Sequence, residues 1–192
     1  MKNTITTLFV AAAALLLNAC SSGPGGRQAL VSNVDARALE VQSRSALTRL
    51  YQTNPGAKHL ASQAEGILVF PSIKKGGLVV AGAWGDGTLY QKGKEAGYFR
   101  SLAASYGLQA GLQEFGYALF LMDDKAVRNL NRSGGWEVGS SPSLTVIDKG
   151  VAGSLSTTTV DRGTHAVFFD QKGLMAGLGL QGTKITRLAI KP

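Results

Sequence analysis

The chain has a single cysteine, Cys20, among 192 residues, so no disulfide can close within it. Its two histidines, His59 and His165, are too few for a metal site without carboxylates, and none stands at a recognisable ligand spacing. Acids are scarce as well: 12 Asp and Glu face 20 Lys and Arg, a formal net charge of +8. No apolar run reaches the roughly 20 residues that a membrane-spanning helix needs. There is no Gly-x-Ser-x-Gly elbow and no Walker loop. Gly177-Leu178-Gly179-Leu180-Gln181-Gly182 has the spacing of a dinucleotide-binding turn. It stands too near the end of the chain for a βαβ unit and its later ribose-binding acid. The expectation is a non-enzymatic protein with no metal and no cofactor.

What surrounds Cys20 is more informative than its solitude. Lys2 supplies a basic start, Leu8 to Leu17 form a short apolar stretch, and Asn18-Ala19 precede the cysteine. That is the layout of a secretory leader. A cysteine directly after the cut resembles the lipobox of bacterial lipoproteins, where the thiol carries a diacylglycerol and the freed amine a further acyl chain. Residues 1–19 are therefore expected to be a leader, Cys20 the site of lipid attachment, and 20–32 a flexible tether of Gly, Ser and Pro. Residues 33–192 form one domain. Ser21 stands where an inner-membrane retention signal would place Asp, so the resemblance implies the outer membrane of the bacterial envelope. Losing Lys2 with the leader removes one positive charge, and the domain stays strongly basic. A basic exported domain points to a polyanionic partner. Nucleic acid is scarce in that compartment, which leaves the membrane surface itself.

Glycine is abundant, 25 of 192 residues and roughly twice the usual share. The glycines stand among Leu, Val, Ala and Phe, as in a folded sheet rather than a disordered tail. One pattern recurs three times: Gly77 to Gly82, Gly107 to Leu112, and Gly173 to Leu178. Residues four apart on a strand share a face. Gly107 with Gly111, and Gly173 with Gly177, would leave bare stripes for tight packing, a sharp bend or an acyl chain.

Periodicity predicts an amphipathic helix over 34–53, capped by Asn33 or Asp35. Ala36, Leu39, Ala46, Leu47 and Leu50 fall on one face, with Arg37, Arg44 and Tyr51 at seven-residue spacing on another. Asn54-Pro55-Gly56 stops it. A second helix is expected from Ala57 to Glu65, and a third over Asp123–Arg132. From Gly66 the pattern turns to short strands. Ile67 to Phe70 reads as a buried strand broken by Pro71, then a basic loop through Lys74-Lys75. Gly85-Asp86-Gly87 reads as a hairpin turn, and Lys92 to Gly97 as a charged loop. Strands are expected over Ser101–Gln113, Phe115–Met122 and in six further runs up to Ile190. With no long crossover helix after residue 132, the class is α+β, a strongly curved, mainly antiparallel and barrel-like sheet with about three helices packed on it.

These blocks resemble a known family. Leu60-Ala61, then Ala64 through Gly77, is similar to the opening signature of the SYLF domain. Gly82 to Gly87, Gly107 to Gln113, Tyr117 to Asp123 and Gly173 to Gly182 resemble its later blocks in order and spacing. The likeness spans residues 55 to about 188. Eukaryotic members bind phosphoinositides through a basic N-terminal helix, and some bundle actin. By position, the resemblance makes the helix over 34–53, with Arg37, Arg44 and Arg49, the membrane-facing element. Lys58, Lys74 and Lys75 would assist. In an exported protein the lipid binding transfers better than the actin binding. The expected partner is anionic phospholipid of the membrane that holds the anchor. The alternative is an envelope scaffold or surface antigen that meets another protein.

Overall fold

The computed structural model describes residues 30–32, 34–77, 80–106, 111–132, 134–138, 144–147, 163–173, 180 and 182–190. The proposed leader and Cys20 lie outside them, as do Gly107 and Gly177. Nine strands and three helices are described: β1 (Leu30–Ser32), α1 (Ala36–Thr53), α2 (Pro55–Gln63), β2 (Gly66–Gly77), β3 (Val80–Gln91), β4 (Lys94–Tyr106), β5 (Gly111–Leu121), α3 (Asp124–Leu130), β6 (Trp136–Glu137), β7 (Leu144–Ile147), β8 (Thr164–Gly173) and β9 (Thr183–Ile190). The strands join one sheet in the order β1-β9-β4-β3-β2-β5-β8-β7, with β6 beside β9. Among the described strands, only the outer pairs β1–β9 and β7–β8 run parallel. The class is α+β with a strongly curved, mainly antiparallel sheet, as the pattern implied.

The helices begin and end where local chemistry directs. Asp35 accepts from the Ala38 amide at 3.1 Å and caps α1. Asn54 closes α1 with its own N–H on the Leu50 carbonyl, and its side chain then caps α2 through the Ala57 amide at 3.0 Å. Pro55 fits the first turn of α2 because no intrahelical N–H is needed there. The stop signal therefore also starts the next helix, two residues earlier than expected. Asp123 caps α3 through the Ala126 amide at 2.7 Å and also accepts from Gly163 at 2.9 Å, tying the end of β5 to the start of β8.

The Gly163 and Ala126 amides hold the Asp123 carboxyl below its usual range, the Gly163 bond contributing most. A depressed carboxyl stabilises the fold above its ordinary pKa and loses that contribution as pH falls through the depressed one. Asp123→Ala is expected to cost about 1 kcal/mol at neutral pH, as a lost cap does. The gap between the two proteins in urea melts should close towards strongly acid pH. A gap unchanged across that range would contradict this.

Each sheet face packs its own apolar cluster, the outer one over only part of its area. On the outer face, Ala46 and Leu50 of α1 and Ala57 and Leu60 of α2 pack on Val69, Ala118, Phe120, Val167 and Phe169. On the inner face, Leu68, Phe70, Leu89, Phe99, Tyr117 and Phe168 meet α3 and Trp136. The inner cluster requires a curled sheet. Strands β4 and β5 stand three positions apart, about 14 Å if the sheet were flat. Yet the Tyr117 hydroxyl on β5 donates to Ser101 Oγ on β4 at 2.8 Å. Burial pushes the Tyr117 phenol well up, so it stays protonated and keeps donating.

The crease that produces this curl lies where the sequence pattern implies a strand end and a turn. Strand β2 does not stop at Pro71; it carries an extra residue there relative to both neighbours, a bulge between Phe70 and Ile73. A bulge is one of the few places in a sheet that tolerates a proline. Lys74 and Lys75 then continue the strand rather than forming a loop. Gly85-Asp86-Gly87 is not a turn but the middle of β3, alongside the bulge. A Cβ at Gly85 would lie 2.4 Å from the Ser72 carbonyl oxygen, and one at Gly87 2.4 Å from that of Val69. On the other side, a Cβ at Gly116 would lie 2.2 Å from the Phe169 ring. A second bulge follows in β8, where Asp170 adopts a φ of 51°. Bulges and glycines thus alternate across four neighbouring strands. Three smaller departures follow: Leu30–Ser32 pairs with β9 instead of ending the tether, the turn after β3 is only Lys92-Gly93, and residues 101–113 divide between β4 and β5.

Candidate functional site

Helix α1 lies across the outer face, and two of its three expected membrane-facing arginines are engaged. Arg44 donates to Glu40 Oε1 at 2.8 and 3.0 Å, and its guanidinium stands 4.9 Å from the Tyr90 ring centre. The hydrogen bond to Glu40 raises its pKa further and keeps it charged. Arg49 donates to Asp170 Oδ2 at 2.9 and 3.0 Å, so the bulged turn of β8 presents its carboxylate to the helix. With the buried Ser43–Thr88 hydroxyl pair at 3.1 Å, these contacts latch α1 to the sheet. Exposed pairs of this kind contribute little to stability. Their effect is to fix orientation and to occupy the arginines.

The remaining cations are scattered. Arg37 lines an open cleft of about 800 Å³ at the start of α1, together with Asp35, Glu95 and Arg187. Arg187 is itself held by Asn131 and the Ala96 carbonyl, with Phe99 beneath it. Lys58 is exposed on α2. Lys74 is exposed on the outer sheet face, and Lys75, half-buried, alternates to the inner one. The six expected lipid-binding side chains therefore do not form one patch. Of the expected structural glycines, Gly111 begins β5 opposite Gly77 with φ 144° and open space around it, and Gly173 ends β8 opposite Gln113. Within the crease, the glycines with backbone or ring atoms closest to an added Cβ are Gly85, Gly87 and Gly116.

A set of residues that sequence reasoning passed over lies on the outer face beyond α1. Trp84 is 52 % exposed, Leu102 44 % and Leu112 81 %. Trp84 pairs with Leu102 on one side and Lys74 on the other. Two-residue alternation from Tyr90 through Thr88 and Asp86 to Trp84 would have placed this tryptophan on the helix face. Reading a turn at Gly85-Asp86-Gly87 hid that phase.

Among the described residues no three of His, Cys, Asp and Glu come together as a metal site. His59 is exposed on α2 and His165 is buried in β8 between β5 and β7. No described helix is long and apolar enough to cross a membrane.

A curled sheet with two helices latched across its outer face and one beneath defines a binding scaffold built around a crease. Residues 102–189 match the family described as Ysc84, "Las17-binding protein actin regulator", the SYLF family. The chain matches none of the curated proteins. The matched segment runs from the middle of β4 to the end of β9. Strands β2 and β3, which precede it, lie between β4 and β5 in the sheet. The matched half therefore shares one sheet with the residues before it.

Proposed function

We infer that this chain is a non-enzymatic lipoprotein of the bacterial envelope, acylated at Cys20, whose SYLF-type domain binds anionic phospholipid. Phosphoinositide-type headgroups belong to the same chemistry. The observation that carries the reading is an imbalance of partners. The described ion pairs use Glu40, Asp86 and Asp170 on Arg44, Arg100 and Arg49. Outside these pairs the described residues hold twelve Lys and Arg, Arg37, Lys58, Lys74, Lys75, Lys172 and Lys184 among them, against seven Asp and Glu. Each basic side chain held at an anionic surface contributes about 1 kcal/mol, less as salt rises. The leader-like segment before Cys20 favours a membrane over nucleic acid as the polyanion.

The family's description favours a second reading, in which the same scaffold binds a protein in the envelope or at the surface. Vesicle co-sedimentation of residues 27–192 separates the two. Binding to phosphatidylglycerol, cardiolipin or phosphoinositide vesicles, and not to phosphatidylcholine, is expected. No preference for anionic vesicles at any salt concentration overturns the lipid reading.

A further inference from the structure

The crease divides the outer face in two. Helix α1 covers one half; on its near side Ala38, Leu39 and Gln42 border a crevice with Pro71, Ser72 and Asp86. The half beyond that crevice carries no described helix. There the register sets Lys184, Leu102, Trp84, Lys74, Glu114 and Lys172 side by side across β9, β4, β3, β2, β5 and β8. All six are exposed. Followed along the curved sheet, the row spans about 24 Å. A second row toward the strand ends holds Ala104, Gly82, Gly76 and Leu112.

We propose that this bare half of the sheet, and not helix α1, is where the domain meets an anionic membrane, with Trp84 and Leu102 entering the headgroup region. The proposal rests on the lipid-binding reading above and assigns it a surface. Tryptophan favours the bilayer interface, where its ring is buried and its N–H stays wet. The lysines can lay their stems along the apolar side chains and raise their ammonium groups to phosphate. Three lysines against Glu114, with Glu137 of β6 set beside Lys184 at the end of the row, leave it net positive, the sign that such a surface attracts.

The same residues fit a protein partner poorly. Lysine is depleted in the cores of protein interfaces, yet Lys74 stands in the middle of this row. A second copy docking here would set a lysine-rich row against itself. The arginines of α1 offer less, because Arg44 and Arg49 already have carboxylates.

The two tryptophans make the test direct. Trp136 is only 4 % exposed, whereas Trp84 is half exposed, so changes in emission on binding report Trp84. The chain from Cys20 to Pro192, which holds every described element, is coupled through the Cys20 thiol to vesicles with or without phosphatidylglycerol. A blue shift and quenching by brominated lipid are expected in anionic vesicles only, and Trp84→Phe should abolish both. In co-sedimentation, Lys74→Glu and Lys184→Glu should each weaken binding by roughly fivefold or more. Trp84→Ala with Leu102→Ser should lose most of it, with thermal melts unchanged because these side chains are exposed.

If wild-type protein binds anionic vesicles but Trp84 stays unquenched and the variants bind normally, the surface is wrong and the lipid reading stands. If no anionic preference exists at all, both fall. A concentration-dependent dimer that buries Trp84 without lipid also overturns the proposal, since a second copy then occupies the face.

Discussion

Gly87→Val is expected to destabilise the domain by about 3 kcal/mol or more, at or beyond the upper end of ordinary overpacking. The first added carbon would stand 2.4 Å from the Val69 carbonyl oxygen and 2.6 Å from the Phe70 ring. A backbone oxygen inside a sheet cannot swing aside as a side-chain tip can. The strand would have to move away from the β2 bulge, opening the crease that brings Tyr117 to Ser101. Gly82→Ala is the matched control in the same strand, since no atom lies within 4 Å of its Cβ. It should fall within about 0.5 kcal/mol of wild type. Urea melts of the two variants decide the matter. Equal stability would mean that the crease does not depend on absent side chains.

Cys20→Ser is expected to have the largest effect on where the protein resides. Two acyl chains anchor a protein stably, while one binds only marginally. The exposed cations alone contribute about 1 kcal/mol each at an anionic surface and are screened by salt. Without the anchor the protein should move from the membrane to the soluble fraction at physiological ionic strength. An acyl anchor at Cys20 would hold the domain at high effective concentration beside the bilayer, where modest intrinsic affinity suffices. Wild type and variant that fractionate alike would remove the lipoprotein reading.

The helices were legible because their causes are local. Asp35, one of two capping candidates ahead of the first helix, caps it in the structure; Asn54, legible as a stop, and Asp123, legible as a helix start, also act as caps. The Glu40–Arg44 pair follows from four-residue spacing on one helix. The sheet was legible as a class, but its crease was not. A proline between apolar and basic residues looks like a strand end, and Gly-Asp-Gly looks like a turn. Both are equally what a bulge and its close-packed neighbour need, and only the pairing of β2 with β3 and β5 tells these apart. Arg49 was placed on the right helix, but its partner, Asp170, lies 121 residues away. No local pattern could show that this arginine is occupied. The face of Trp84 is hidden for the same reason as the crease, since it follows from the phase of a strand that runs unbroken through Gly85-Asp86-Gly87.

Binding of the free domain to vesicles, as anionic lipid is increased and then as salt is added, tests the central claim most directly. The account predicts affinity that climbs with phosphatidylglycerol or cardiolipin content and falls as salt approaches about 0.1 M, where the Debye length shrinks to ~10 Å. Affinity that is the same for phosphatidylcholine and anionic vesicles, or absent for both at low salt, would contradict it.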